Sequence, residues 1–168
     1  AAQNLEQAGA DCIVLCTNTM HRLANDIQNC TTIPFIHIAD PTAEKIKAAG
    51  IQKIGLLGTM YTMTMTFYAN RVADHGLEVL IPGEADREVV HQIIYDELVL
   101  GKITAASRAE YQRIIKTLEA AGAEGIILGC TEIGLLVKAE DSELPLFDTT
   151  EIHAEAAVAF ALQNVLKP

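Results

Sequence analysis

Two segments of the chain are near-copies of one another. Leu5-Glu6-Gln7-Ala8-Gly9-Ala10-Asp11 leads into Cys12-Ile13-Val14-Leu15 and then Cys16-Thr17-Asn18. Leu118-Glu119-Ala120-Ala121-Gly122-Ala123-Glu124 leads into Gly125-Ile126-Ile127-Leu128 and then Gly129-Cys130-Thr131-Glu132. Each reads as the end of a helix, a glycine turn, a short apolar strand and a Cys-Thr pair followed by a polar residue. A duplicated strand that delivers a cysteine at its tip implies two lobes facing one site.

The rest of the pattern fits that frame. Helical periodicity alternates with short β-branched runs, the mark of βαβ units and a mostly parallel sheet. Strands are expected at 12–15, 33–38, 53–57, 77–81, 125–128 and 146–147. Helices are expected from Thr19 or Met20 to Gln28, from Asp40 to Ala49, from Thr62 or Thr64 to Asp74, over 84–99, from Thr104 or Ser107 to Ala121, and from Ile152 to Leu166. Asp40 reads as an N-cap with Pro41 at the first helical position. The expected class is therefore α/β, with two pseudo-symmetric three-layer lobes and parallel-type sheets. The expected division is a partial first lobe over 1–49, a second lobe over 50–150, and a C-terminal helix over 151–168 that packs back on the first.

The first lobe shows only two strands, too few to stand alone. Gly58 precedes Cys130 by 72 residues, and the same offset from Cys16 falls before Ala1. The expectation is that a first βαβ region of this lobe lies outside the chain; the alternative is a first lobe that is small.

Half of the 168 residues are hydrophobic, enough for a core, and 22 acidic against 12 basic residues leave a net charge of -10. That balance argues against nucleic acid or an anionic membrane as partner. It leaves an anionic small substrate open, because helix starts and backbone N–H groups can make a pocket locally positive. No apolar run reaches membrane-spanning length. The four cysteines show no metal spacing and no sign of a secreted disulfide framework, so a reducing cytoplasm is expected.

Cys16 and Cys130 sit at the C-terminal ends of expected parallel strands, where open α/β sheets hold ligands. Cys12 and Cys30 read as ordinary small apolar residues. Two opposed thiols suit proton exchange at a carbon centre: one thiolate removes a proton from one face and the other thiol protonates the opposite face. An α-hydrogen beside a carboxylate is weakly acidic, so such a site also needs oriented donors for the enediolate-like state.

The motifs Cys16-Thr17-Asn18-Thr19-Met20-His21, Gly55-Leu56-Leu57-Gly58-Thr59, Gly129-Cys130-Thr131-Glu132-Ile133-Gly134 and Asp148-Thr149-Thr150-Glu151-Ile152-His153 together resemble the aspartate/glutamate racemase family, and within it the aspartate or broad-specificity branch. The resemblance implies racemisation without pyridoxal phosphate, metal or other cofactor, a small amino-acid substrate between two lobes, and a homodimer. It implies that Cys16 and Cys130 are the acid–base pair, Cys16 on the D-substrate side and Cys130 on the L-substrate side. Asn18, Thr19, Thr59, Thr62, Thr131 and Glu132 are implied as substrate contacts. His21 and His153 are candidates for supporting roles behind that layer. Glutamate racemases usually carry histidine where this chain has Glu132.

Two other readings stay open: a related cysteine-dependent isomerase or decarboxylase, and a non-catalytic amino-acid-binding chain. His37 reads as a core histidine and His75 and His91 as surface residues. Arg22 and Lys138 are candidate partners for a distal substrate carboxylate, and Arg87 reads as part of a solvated helix face. Tyr61, Met63, Met65, Phe67 and Tyr68 form an apolar cluster that could wall a pocket, pack a lobe or face a second copy.

Overall fold

The computed structural model describes residues 1–165. Along the chain it runs α1 (Ala2–Gln7), β1 (Ile13–Val14), a 3-10 turn (Thr19–Leu23), α2 (Ala24–Asn29), β2 (Phe35–Ile36), α3 (Ala39–Ala48), β3 (Lys53–Gly58), α4 (Met60–Thr64), α5 (Thr66–Ala73) and β4 (Glu78–Leu80). It continues with α6 (Glu84–Asp96), a 3-10 turn (Leu98–Leu100), α7 (Ala105–Ala120), β5 (Ile126–Gly129), α8 (Ile133–Leu136), a 3-10 turn (Ala139–Asp141), β6 (Leu146–Asp148) and α9 (Thr149–Val165). All strand pairings are parallel, so the α/β class expected from the alternating pattern is what forms.

The duplicated glycine turns share one geometry. Gly9 and Gly122 have φ of 89° and 98°, a left-handed conformation that glycine adopts without steric cost. In the first copy the Gly9 and Ala10 N–H groups donate to Glu6 and Leu5 carbonyls; in the second, Gly122 and Ala123 donate to Glu119 and Leu118. Both are Schellman-type stops, which satisfy the last carbonyls of a helix and send the chain back into a strand.

Strands β1 and β2 form a two-stranded sheet; the other four form a sheet in the order β4-β3-β5-β6. Helices cover both faces of the larger sheet. On one face Leu57, Ile126 and Leu128 pack with Val90 and Ile94 of α6 and Tyr111, Ile114 and Leu118 of α7. On the other Ile54, Leu56 and Ile127 pack with Ala43 and Ile46 of α3, Tyr68 and Val72 of α5 and Ile152 of α9.

Several local expectations change. The first two strands shrink to two residues each. The ladder opens where the Ile13 N–H donates to the Pro34 carbonyl, but proline has no N–H to extend it. At the other end Thr17 N–H turns back to the Leu15 carbonyl. Asp40 does not cap α3: its carboxylate accepts from Arg71 Nε at 2.6 Å and Nη2 at 2.7 Å and from His75 Nε2 at 3.0 Å. His75 therefore has a partner, as does His91, whose Nδ1 accepts the Met60 N–H. Thr62 and Thr64 lie inside α4, which Thr59 caps by accepting the Thr62 N–H, and an extended Met65 separates α4 from α5. Arg87 Nη1 donates to the Pro82 carbonyl and its Nε is buried, not solvated. Helix α9 starts at Thr149 because Asp148 Oδ1 accepts the Thr150 N–H. Its expected end, Leu166, lies outside the described residues. No helix among the described residues is long and apolar enough to cross a membrane.

Candidate active site

Strand order decides where a ligand can sit. The chain steps from β3 out to β4, crosses back to β5 on the other side of β3, and continues to β6. The reversal between β3 and β5 opens a crevice beyond their C-terminal ends, the usual ligand position in open parallel sheets. Gly58 and Gly129 end these two strands and pair with each other. A Cβ on Gly58 would meet the Gly129 carbonyl oxygen at 2.8 Å, and one on Gly129 would meet the Leu57 carbonyl at 2.9 Å. Glycine at both tips is what brings Thr59 and Cys130 side by side.

The crevice is a cleft of about 310 Å³, lined by Thr17, Asn18 and Thr19 from the loop after β1, Thr59 after β3, and Cys130, Thr131 and Glu132 after β5. Its remaining wall comes from Met20, Ile94, Tyr95 and Val99. That volume is at the small end for ligand pockets, which run from about 300 to 1,000 Å³. A larger groove of about 610 Å³ between α3 and α9 includes Ile36, Pro41, Ala156 and Phe160 and has neither cysteine nor hydroxyl in its lining.

The loop after β1 is held at three points. The Thr19 hydroxyl lies 3.0 Å from the Thr59 hydroxyl and 3.1 Å from that of Thr62, which are 3.2 Å from each other. This triangle of rotatable hydroxyls can turn donors toward an anion. Thr62 is fully buried and supports the other two from behind. Asn18 Nδ2 donates to Thr149 Oγ1 at 3.0 Å, and Thr149 passes its own proton to the Leu128 carbonyl at 2.9 Å. A carbonyl only accepts, so Thr149 must accept from Asn18 and the amide orientation is fixed. Asn18 Oδ1 is left buried without a partner. The third tie is His21, whose Nδ1 donates to the Thr17 carbonyl at 2.7 Å while Nε2 accepts the Ile38 N–H at 3.1 Å.

His21 is buried among aromatic rings, with His37 at 4.5 Å and His153 at 5.9 Å between centroids. Burial pulls the pKa of His21 down to about 4 and does the same to His37, whose Nδ1 accepts the Ala39 N–H. His153 donates from Nε2 to the Ile36 carbonyl at 2.7 Å. Neither His21 nor His153 lines the cleft; both tie backbone behind it.

The two cysteines differ. Cys130 is 8% exposed, and its thiol donates to Glu132 Oε2 at 3.0 Å. Burial, and then that bond to a carboxylate, push its pKa up to about 12. Burial alone would also raise the pKa of Glu132, but the bonds from Cys130 and from the Thr131 hydroxyl at 2.7 Å hold it below the usual carboxylate value. Glu132 is thus ionised at neutral pH and Cys130 is a thiol. Cys16 is exposed; its neighbour Thr17 lines the cleft and Cys16 does not.

Of the other sequence candidates, Arg22 and Lys138 lie outside the lining, and Lys138 Nζ donates to the Gly134 carbonyl at 2.5 Å. Within the apolar run after Gly58, Met63 and Tyr68 are core residues and Tyr61 and Met65 are exposed; none lines the cleft. Sequence reasoning missed Thr149, Ile94, Tyr95 and Val99. Tyr95 and Val99 stand four apart and off the buried face of their helical segment, a signal that was available. Among the described residues no group of three or more His, Cys, Asp or Glu side chains is placed to hold a metal ion.

Residues 1–157 match the Asp/Glu/hydantoin racemase family model. The chain belongs to that family. It is 57% identical to a Yersinia pestis protein assigned as an Asp/Glu racemase, with a TM-score of 0.91 over 96% of this chain and 70% of that one. An aspartate racemase homologue from Pyrococcus horikoshii OT3 superposes with a TM-score of 0.86 at 38% identity, over 95% of this chain and 70% of that one. The broad-specificity amino-acid racemase RacX of Bacillus subtilis is 27% identical over 165 residues, 94% of this chain and 68% of its own length.

Proposed function

We propose that the chain carries the acid–base machinery of an amino-acid racemase that needs no cofactor, with Cys16 and Cys130 as its two proton-transfer groups. The observation that carries this reading is Cys130, a buried thiol at the tip of β5, beside a cluster of hydroxyls drawn from two other loops. An amino acid in the cleft has complementary partners for its main-chain groups. Thr19 and Thr59 can donate to the α-carboxylate. The ionised Glu132, whose Oε2 is engaged, has Oε1 left for the α-ammonium.

In the D-to-L direction a Cys16 thiolate takes the α-hydrogen as a proton. The C–H electron pair moves into the carboxylate as an enediolate, which the threonine donors stabilise. The Cys130 S–H bond then breaks toward the opposite face of the carbon, leaving a Cys130 thiolate and a Cys16 thiol. The L-to-D direction reverses each step. Protonated Cys130 is the form suited to donate. Cys16, next to Thr17 at the mouth, would approach from the solvent side. The four free cysteines fit a reducing compartment such as the cytoplasm, and exposed Leu100, Ile103 and Leu135 are candidate contacts of a homodimer.

The test follows α-hydrogen exchange and optical rotation of amino-acid enantiomers in deuterated water. Cys16→Ser and Cys130→Ser should each abolish racemisation. Near-normal racemisation by either variant would overturn the two-base reading.

A further inference from the structure

Of the three ties that hold the loop after β1, two join side chain to side chain. The third differs in kind, because both ends of one buried ring grip main chain. His21 Nδ1 lies 2.7 Å from the Thr17 carbonyl oxygen, and the Ile38 N–H lies 3.1 Å from His21 Nε2. A backbone N–H only donates, so Nε2 accepts, the proton sits on Nδ1 and the ring is neutral. One end holds the cleft loop. The other holds Ile38, the residue before α3, which is 1% exposed.

This histidine is expensive where it stands. It is 2% exposed and packs against the rings of Phe35, His37 and His153. An apolar ring would fill the space without desolvating two nitrogens, but it would leave the Thr17 carbonyl unheld. That carbonyl belongs to the peptide joining Thr17 and Asn18, both of which line the cleft, whereas His21 does not. The peptide is planar and trans, so its N–H points opposite to its C=O. By drawing the carbonyl to itself, His21 turns the negative end of this dipole away from the cleft loop's open side. The opposite end, the Asn18 N–H, has no hydrogen-bond partner among the described residues. A carbonyl swung into the cleft would repel an α-carboxylate, and would repel the more highly charged enediolate further.

We infer that His21 is a positioning residue for proton transfer: its Nδ1–H fixes the Thr17–Asn18 peptide and, through it, the placement of Cys16 and Thr19 on either side. The inference rests on the racemase reading above and concerns a residue outside the cleft lining, so the two can be tested apart.

Two amide side chains separate the two bonds of the ring. His21→Asn places an N–H where Nδ1 stands and leaves the Ile38 N–H unpaired. His21→Gln reaches the place of Nε2 with an acceptor and loses the donor to Thr17. The full-length protein is assayed for α-hydrogen exchange by proton NMR in deuterated water with L-alanine, L-methionine, L-aspartate and L-glutamate. The fastest of these is carried through both variants, with urea midpoints measured alongside. His21→Gln should lower kcat at least about tenfold with KM changed less than about threefold, because a misplacement of about 1 Å can cost 10²-fold in rate. His21→Asn should retain at least about a third of kcat even though its urea midpoint falls. Equal kcat per folded molecule in the unaltered protein and both variants would overturn the inference, since the ring would then serve stability alone. So would a kcat loss in His21→Asn as large as that in His21→Gln. If His21→Gln does not fold, the ring nitrogen shifts of the unaltered protein decide. A protonated Nδ1 with a bare Nε2 supports the inference, and the opposite tautomer overturns it. Exchange with no amino acid at all would overturn the racemase reading, and this inference with it.

Discussion

Thr149 is the hinge pin between the loop that carries Cys16 and the strand that carries Cys130, and removing its hydroxyl should be costly out of proportion to its size. Thr149→Val keeps the branched shape and deletes one oxygen. Two buried hydrogen bonds go with it: the one from Asn18 Nδ2 and the one to the Leu128 carbonyl. Asn18 is 3% exposed and its Oδ1 already lacks a partner, so the variant strips this side chain of its remaining bond. Leaving a buried polar group unsatisfied costs about 1–3 kcal/mol. With Asn18 Nδ2 and the Leu128 carbonyl both affected, we expect about 3 kcal/mol. The measurement is urea unfolding. With a slope of roughly 2 kcal/mol per molar, the midpoint should fall by about 1.5 M. Thr149→Ser restores the hydroxyl and should recover most of the loss. A double-mutant cycle with Asn18→Ala should give a coupling energy of at least ~1 kcal/mol, as expected for contacting residues. A Thr149→Val cost below about 0.5 kcal/mol, in the range of ordinary surface substitutions, would refute the assignment of these bonds as the link between the two loops.

Two further predictions concern protons. His21 and His37 have folded pKa values near 4, below the unfolded value of about 6.5, so between those limits the unfolded chain binds more protons. Stability is then full above pH 6.5 and drains as pH falls toward 4, by up to about 3 kcal/mol for each ring at 1.36 kcal/mol per pH unit; a urea midpoint that stays flat across this window would contradict their buried, neutral state. Glu132→Gln removes the negative charge beside the Cys130 thiol and should lower its pKa from about 12 by roughly 1–3 units. Thiolate absorbance near 240 nm against pH, read in a Cys12, Cys16 and Cys30 to Ser background, would expose the idea as wrong if the titration did not move.

The local chemistry of the chain was legible because it is written in neighbouring residues. Gly9 and Gly122 announce their helix stops, since the left-handed conformation each adopts is one that residues with a Cβ avoid. The aliphatic runs before Cys130 and Thr59 announce strands buried on both faces. What misled was polar side chains near helix starts. Asp40 beside Pro41 has the sequence of a cap, yet Arg71 and His75 arrive from across the fold and offer a bidentate pair and a second donor. Local capping is worth about 1 kcal/mol, and charged hydrogen bonds outweigh it. His75 and His91 looked like surface residues for the same reason: their partners lie 35 and 31 residues away.

By itself the sequence determined the α/β alternation, the cysteine that follows β5 and the membership implied by its ordered motifs, because these depend on spacing along the chain. Only the tertiary structure decided which side chains share a cleft. The β4-β3-β5-β6 order places Thr59 beside Cys130 although 71 residues separate them. The Asn18–Thr149 bond crosses 131 positions, and Tyr95 and Val99 reach the same cleft from α6 and the 3-10 turn after it. Contacts of that kind are fixed by where strands cross over and which helices cover the sheet. Those choices are made by the free energy of packing the whole chain, and no window of neighbouring residues contains it.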